Sequence, residues 1–373
     1  MNPHERELEY PLADTLPRPG RLLEVAPGVS WVRMPLPFAL DHVNLYLLRD
    51  RFEGRNGWTL IDCGISSQAT RELWQQIFDE GLEGLPIVRV LCTHMHPDHV
   101  GLAYMITERF GAPLWMTVGE YAIGRVMSSN LPGADGESAV AHFRRHGLAD
   151  ESALEAIGAR GGRYFRSLVP EMPTSFRRIR GGEIIRIGER DWRVIIGLGH
   201  SPEHASLYCD GATGEGGTDE AATGEGGPMM LSGDMVLPRI STNVSVFDIE
   251  PEADPVTWFL DSLRRFEECD PDTLVFPSHG RPFRKLHVRL RQLRDHHAER
   301  LEVVLQACRQ RPLSAADALP IMFAREFDTH QMTFAMGETL AHLHALWLGG
   351  KLRREIGQDG VARFSANSPS STD

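Results

Sequence analysis

The chain lacks any run of about 18 apolar residues, the length a membrane-crossing helix needs, so no transmembrane span is expected. Residues 1–19 carry acidic side chains and prolines but no apolar stretch, and do not read as a secretory signal. Cysteine is scarce: five residues, with no Cys-x-x-Cys pair. Cys63, Cys92, Cys209, Cys269 and Cys308 therefore read as buried or free thiols in a reducing compartment rather than as a disulfide framework. A cytoplasmic protein with no membrane contact is expected. Positive charge is also short. The formal net charge is −12, which advertises no phosphate-backbone partner, although a local basic patch is compatible with it.

What remains is ample for a core. The 373 residues are 42% hydrophobic and 24% charged, enough for one large domain or a large one with a small companion. Residues 1–21 read as a poorly ordered arm. Short strands follow at Val29–Met34, Val43–Leu48 and Trp58–Ile61, then a helical pattern at Ser67–Glu80, a strand at Ile87–Cys92 and a helix at Leu102–Phe110. Strand, helix, strand argues for α/β layers.

Residues 119–180 hold helix-like stretches, Glu120–Ser128, Glu137–His146 and Glu151–Val169, separated by Pro and Gly, a helical insertion placed to roof a pocket or to serve as scaffold. Strands resume at Glu183–Ile187, Arg193–Ile196, Ala205–Cys209, Met229–Leu231 and Thr273–Phe276. Between two of them, at 211–228, Ala-Thr-Gly-Glu-Gly-Gly occurs twice, which reads as a lengthened flexible loop without chemistry. From Lys285 the pattern turns helical: a long amphipathic stretch to Gln310, then shorter units including a helical one ending in Leu352-Arg353-Arg354-Glu355.

The most informative run is Thr93-His94-Met95-His96-Pro97-Asp98-His99, directly after an apolar strand. Three imidazoles and one carboxylate at one turn suit zinc or a similar transition metal, and would repel or stay unpaired without an ion. His200, Asp234 and His279 each follow a predicted strand and lie beside a glycine, which lets the backbone turn so that a ligand projects from the strand end. Their joint occurrence, in order and at strand ends, carries the inference of one metal site. No Ser or Cys nucleophile has a convincing base beside it.

This pattern, His94-x-His96-x-Asp98-His99 with His200, Asp234 and His279, resembles the metallo-β-lactamase superfamily, as does Asp62 in an early Asp-x-Gly turn. The resemblance spans about residues 22–283. It implies an α/β fold: an αββα sandwich with a dinuclear site at one edge, here as a catalytic domain over 22–284 with the 119–180 insertion. A small C-terminal helical, winged-helix-like domain over 285–373 is implied more weakly, by layout. Carried over, His94, His96 and His200 would hold one metal, Asp98, His99 and His279 the other, and Asp234 would bridge them. The implied cofactors are two zinc ions, with iron or manganese as substitutes. The implied chemistry is hydrolysis by a metal-bridging hydroxide that Asp98 helps to orient. Asp234 where exported lactamases often carry Cys points to the glyoxalase II-like, lactonase and phosphodiesterase branches. A small thioester, ester or lactone is the expected acyl substrate. A phosphodiesterase or ribonuclease binding nucleic acid through the C-terminal domain, and a mono-iron persulfide dioxygenase, are the alternatives. A homodimer is left open.

Further residues stand beside these. His204 reads as supporting or structural. His142, His146, His296, His297, His342 and His344 read as surface or satisfied core residues. Phe38, Tyr164 and Arg239 are candidate substrate contacts. Arg281, Arg284, Lys285, Arg289, Arg291 and Arg294 form a basic cluster, read as a solvated helix face before an anion-binding surface.

Overall fold

The computed structural model describes residues 3–129, 131, 136–211, 226–324, 327 and 329–367. The first sheet begins with strands β1 (Leu23–Ala26), β2 (Val29–Pro35), β3 (His42–Phe52) and β4 (Arg55–Ile61). Helix α1 (Gln68–Gln76), β5 (Ile87–Leu91), short α2 (Pro97–Val100), α3 (Ala103–Phe110) and β6 (Leu114–Met116) follow. The insertion supplies α4 (Val118–Ser128), α5 (Gly136–Arg145) and α6 (Glu151–Leu168). Next come β7 (Arg177–Arg178), β8 (Ile184–Ile187), β9 (Arg190–Gly197), β10 (His204–Cys209), β11 (Met229–Gly233), α7 (Pro255–Phe266) and β12 (Leu274–Pro277). The C-terminal part holds α8 (Leu286–Gln310), α9 (Ala315–Met322), α10 (Thr329–Leu348) and a hairpin of β13 (Leu352–Ile356) and β14 (Ala362–Ala366).

Strands β1 to β7 form one sheet in sequence order, antiparallel as far as β4 and parallel beyond it. The second sheet runs β12-β11-β10-β9-β8. The alternation along β3 shows how the layers stack. Leu45 and Leu47 face the helices, packing with Trp74 of α1 and Ile106 of α3, while Tyr46 and Leu48 meet Trp192, Leu207 and Phe276 of the other sheet. Both faces are buried, so the strand reads as a nearly continuous apolar run. A third core, on the outer face of the second sheet, gathers Phe259 of α7, Leu290 of α8, Leu340 of α10, Phe143 of α5 and Phe364 of β14. This is the αββα sandwich, and the insertion and the C-terminal part share its outer core.

Three expectations are corrected. The N-terminal arm is packed, not loose: Leu8 is buried in the outer core, the Glu9 carbonyl accepts from the Arg284 backbone N–H at 2.8 Å, and the His4 carbonyl accepts from the Gln292 amide at 3.0 Å. Residues Leu352–Ile356 form a strand instead of the end of a helix, because they pair with Ala362–Ala366, whose Phe364 also exchanges backbone hydrogen bonds with Leu313. The helix read over Glu151–Val169 is broken at Gly161, which adopts a non-helical conformation with φ of 34°. Helix α7 has no counterpart in the sequence reading. Most of the duplicated loop lies outside the described residues, and no helix among those described is long and apolar enough to cross a membrane.

Candidate metal centre

The site forms where parallel strands end. Strand β5 runs parallel to β4, and β9, β11 and β12 share one direction because β9 and β11 both pair antiparallel with β10. The turns after these strands carry Asp62, His94 to His99, His200, Asp234 and His279. Open α/β sheets gather chemistry at such carboxyl ends because the loops there converge. Two of the glycines are demanded by close approach. Gly199 has φ of +94°, and a Cβ there would lie 2.2 Å from the Pro255 carbonyl oxygen. Gly233 has φ of +53°, and its Cβ would sit 2.3 Å from His204 Nε2.

All seven expected donors meet, in two groups. In the first, His94 Nε2 lies 2.9 Å from His96 Nδ1 and 3.2 Å from His200 Nε2, and His200 Nε2 lies 3.4 Å from Asp234 Oδ2. In the second, Asp98 Oδ2 lies 3.4 Å from His279 Nε2 and 3.6 Å from His99 Nε2. Asp234 Oδ1 is 3.5 Å from each of those two imidazole nitrogens. Asp234 thus turns one oxygen to each group. Donors at about 2.0–2.1 Å around a tetrahedral ion stand about 3.3 Å apart, which matches this spacing. His99 Nε2 and Asp234 Oδ1 are buried without a hydrogen-bond partner, an arrangement that an ion between them would relieve.

The outward sides of four of the imidazoles, those of His94, His99, His200 and His279, are held by the protein. His99 Nδ1 donates to Asp62 at 2.8 Å, His200 Nδ1 to the Asn243 carbonyl at 2.8 Å, and His279 Nδ1 to the His42 carbonyl at 2.7 Å. Each bond commits the Nδ1 proton and leaves Nε2 aimed inward. The Thr93 hydroxyl lies 2.8 Å from Asp62 and 3.0 Å from His94 Nδ1. With its single proton given to Asp62, its oxygen accepts from His94. His204 supports the site as expected: its Nε2 accepts the Asp234 backbone N–H at 3.0 Å.

Charge is unevenly shared across the cluster. Burial, reinforced by the neighbouring imidazoles, drives His94 far below its ordinary value, and burial with His200 lowers His96 to about 3. Burial also acts against a proton on His99 and His279, but carboxylates outweigh it. Asp98, Asp62 and Asp234 raise His99 to about 9, and Asp234 and Asp98 raise His279 to about 10. The carboxylates thus favour positive charge at the side of the site formed by Asp98, His99 and His279, as a cation there would supply.

The other candidates fall elsewhere. His142, His146, His297, His342 and His344 are buried in the outer core and join neither donor group. Phe38 packs against the helix-side core of the first sheet. Tyr164 sits in α6 with the Arg160 guanidinium 3.6 Å over its ring, and feels the charge of Asp98. Arg239 lies 3.9 Å from the Glu5 carboxylate. In the basic cluster, Arg281 holds Asp14, Arg291 faces Glu7, Arg294 pairs with Glu267, and Arg284 donates to the Asp272 carbonyl. Arg289 is buried and donates to the Leu237 and Ile240 carbonyls, bracing the loop after Asp234. The cluster is not simply a solvated face, since these arginines tie the arm and loops to α8. Sequence reading missed Glu120, His42 and Asn243. The last two act through backbone carbonyls, which no residue type announces.

Residues 39–279 match the metallo-beta-lactamase superfamily, and residues 301–367 match the metallo-beta-lactamase-like C-terminal domain. The chain belongs to the metallo-beta-lactamase superfamily and is a metal-dependent hydrolase. It is similar along nearly its whole length to a beta-lactamase domain protein from Burkholderia ambifaria, at 53% identity and a TM-score of 0.89, over 98% of this chain and 100% of that one. A metallo-beta-lactamase family protein from Thermus thermophilus, TTHA1429, is 27% identical with a TM-score of 0.73, over 92% and 100% of the two chains. A probable metallo-hydrolase of Bacillus subtilis (strain 168), YqjP, is 24% identical over 84% of this chain and 91% of its own.

Proposed function

We propose that the chain is a two-metal hydrolase of small acyl compounds: thioesters, esters or lactones. The observation that carries the two-metal reading is Asp234, with Oδ2 turned to His200 and Oδ1 to His99 and His279. His94, His96 and His200 would hold one ion, Asp98, His99 and His279 the other, and Asp234 both. Two divalent cations, zinc by the imidazole-rich donor set, would lower the pKa of a shared water and polarise the scissile carbonyl. The protein's own part is positional. Asp98 has a side chain 18% exposed against 10% for Asp234, so it is the more solvent-accessible of the two carboxylates. It orients the attacking water and accepts its proton. Asp62, His42 and Asn243 fix the imidazoles so that the donors need no rearrangement.

An acyl substrate is favoured over nucleic acid because three cationic side chains at the start of α8, Arg291, Arg294 and Arg289, are engaged with Glu7, Glu267 and backbone carbonyls. The test is metal analysis of the purified chain together with a screen of thioesters, lactones, β-lactams and phosphodiesters. The expected result is two zinc-type ions per chain and turnover of an acyl compound. A single iron, or turnover confined to phosphodiesters, would overturn it.

A further inference from the structure

The least expected group near the centre is Glu120, a carboxylate in the first turn of α4 that is fully buried. It faces no cation among its hydrogen-bond partners. Its Oε2 accepts the Met95 backbone N–H at 2.8 Å, while Oε1 accepts the Ser201 hydroxyl at 2.6 Å and the Glu203 backbone N–H at 2.7 Å. Met95 lies between His94 and His96, and Ser201 follows His200. One carboxylate therefore joins the two turns that present all three imidazoles of the first donor group. The reverse connection is also made. The Glu203 carboxylate accepts the Gly119 backbone N–H at 2.7 Å, and the Glu203 carbonyl accepts the Thr117 hydroxyl at 2.9 Å. The two glutamates cross-brace α4 to the His200 turn. A buried carboxylate is costly unless its lone pairs are filled, and here three donors fill them. None of these three bonds is made to Asp98, His99 or His279.

We propose that Glu120 is a positioning residue that holds His94, His96 and His200 in register as one metal position, and that the other position does not depend on it. The proposal rests on the two-metal reading above. Removing the clamp frees the Met95 and Ser201 turns to move independently, so the three nitrogens lose their mutual spacing and the ion held by them is bound more weakly.

The test compares metal-free wild-type and Glu120→Gln chains by calorimetric titration with Zn²⁺. The amide keeps the size of the side chain and one acceptor, but its NH₂ group cannot accept a backbone N–H. Wild type must first show two binding steps; if it does not, the two-metal reading fails before any variant is considered. His279→Ala, stripped of a donor to the second position, identifies the step belonging to the first. In Glu120→Gln that step should weaken about 10–100-fold, the usual cost of losing an outer hydrogen-bond partner, with the other step unchanged. Equal weakening of both steps, or of neither, overturns the proposal. Should Glu120→Gln fail to fold, as judged by thermal unfolding of the metal-free chain, Ser201→Ala decides. It removes one donor of the clamp and should weaken the same step alone, and an unaltered step refutes the assignment.

Discussion

Asp62 and His99 meet at 2.8 Å behind the candidate metal centre, carboxylate Oδ2 to imidazole Nδ1, while the other oxygen of Asp62 accepts the Thr93 backbone N–H at 2.8 Å. These two bonds tie the turn after β4 to the turn after its parallel neighbour β5, and Asp62 takes a left-handed conformation, φ 61°, to make them. One residue thus sets the direction of His99 and the start of the histidine turn. Asp62→Asn should lower zinc affinity at the position shared by Asp98, His99 and His279 about 10–100-fold and reduce turnover with it. Zinc titration of the variant checks this, and an affinity equal to wild type would refute it.

Asp234 serves both donor groups, and His96 is the only member of its group that presents Nδ1 inward. Asp234→Ala or His96→Ala should therefore remove hydrolysis altogether. The loss should exceed the roughly 10–100-fold expected from an outer partner. Circular dichroism should show the fold kept, since neither side chain belongs to an apolar core. Activity retained in either variant would disprove the site.

Gly199 precedes His200 against helix α7. A Cβ there would meet the Pro255 carbonyl oxygen at 2.2 Å and the Phe259 nitrogen at 2.8 Å, at a φ of +94° that other residues rarely adopt. Gly199→Ala should cost more than about 1 kcal/mol of stability and displace His200. Urea unfolding measures the first effect and zinc titration the second. A variant with wild-type stability and metal binding would show that the turn adapts.

The outer core carries a histidine group whose protonation opposes folding. Burial, then His342 and His296, lowers His297 to about 2; burial, then His142 and His344, lowers His146 to about 3; burial lowers His342 to about 4. An unfolded histidine titrates near about 6.5, so between these values the unfolded chain binds more protons. Stability is then full above about pH 6.5 and falls as the pH drops below it. Thermal midpoints between pH 7.5 and 5 should show this decline, and His297→Leu should make it shallower. An unchanged slope in the variant would assign the decline to other groups.

The sandwich was legible because each layer leaves a local trace. Apolar β3 and β5 mark strands buried on both faces, Ser67 caps the helix that buries Trp74, and glycines mark the turns at Gly199 and Gly233. The C-terminal hairpin left a weaker trace. Leu352 to Ile356 is short and mostly polar, and it is a strand only because Ala362 to Ala366 pairs with it. The N-terminal arm looked loose for a similar reason, since its partners, Arg284 and Gln292, lie far along the chain, Gln292 288 residues from His4.

The candidate donor residues were legible in the sequence alone: His94, His96, Asp98 and His99 in one turn, with His200, Asp234 and His279 each after a strand. Donor chemistry is carried by residue type, and residue type survives without coordinates. Only the tertiary structure decided how those donors divide into two groups, that Asp234 faces both, and that Glu120 joins the Met95 and Ser201 turns. Those relations depend on hydrogen bonds and distances between strands far apart along the chain, and no local pattern encodes them.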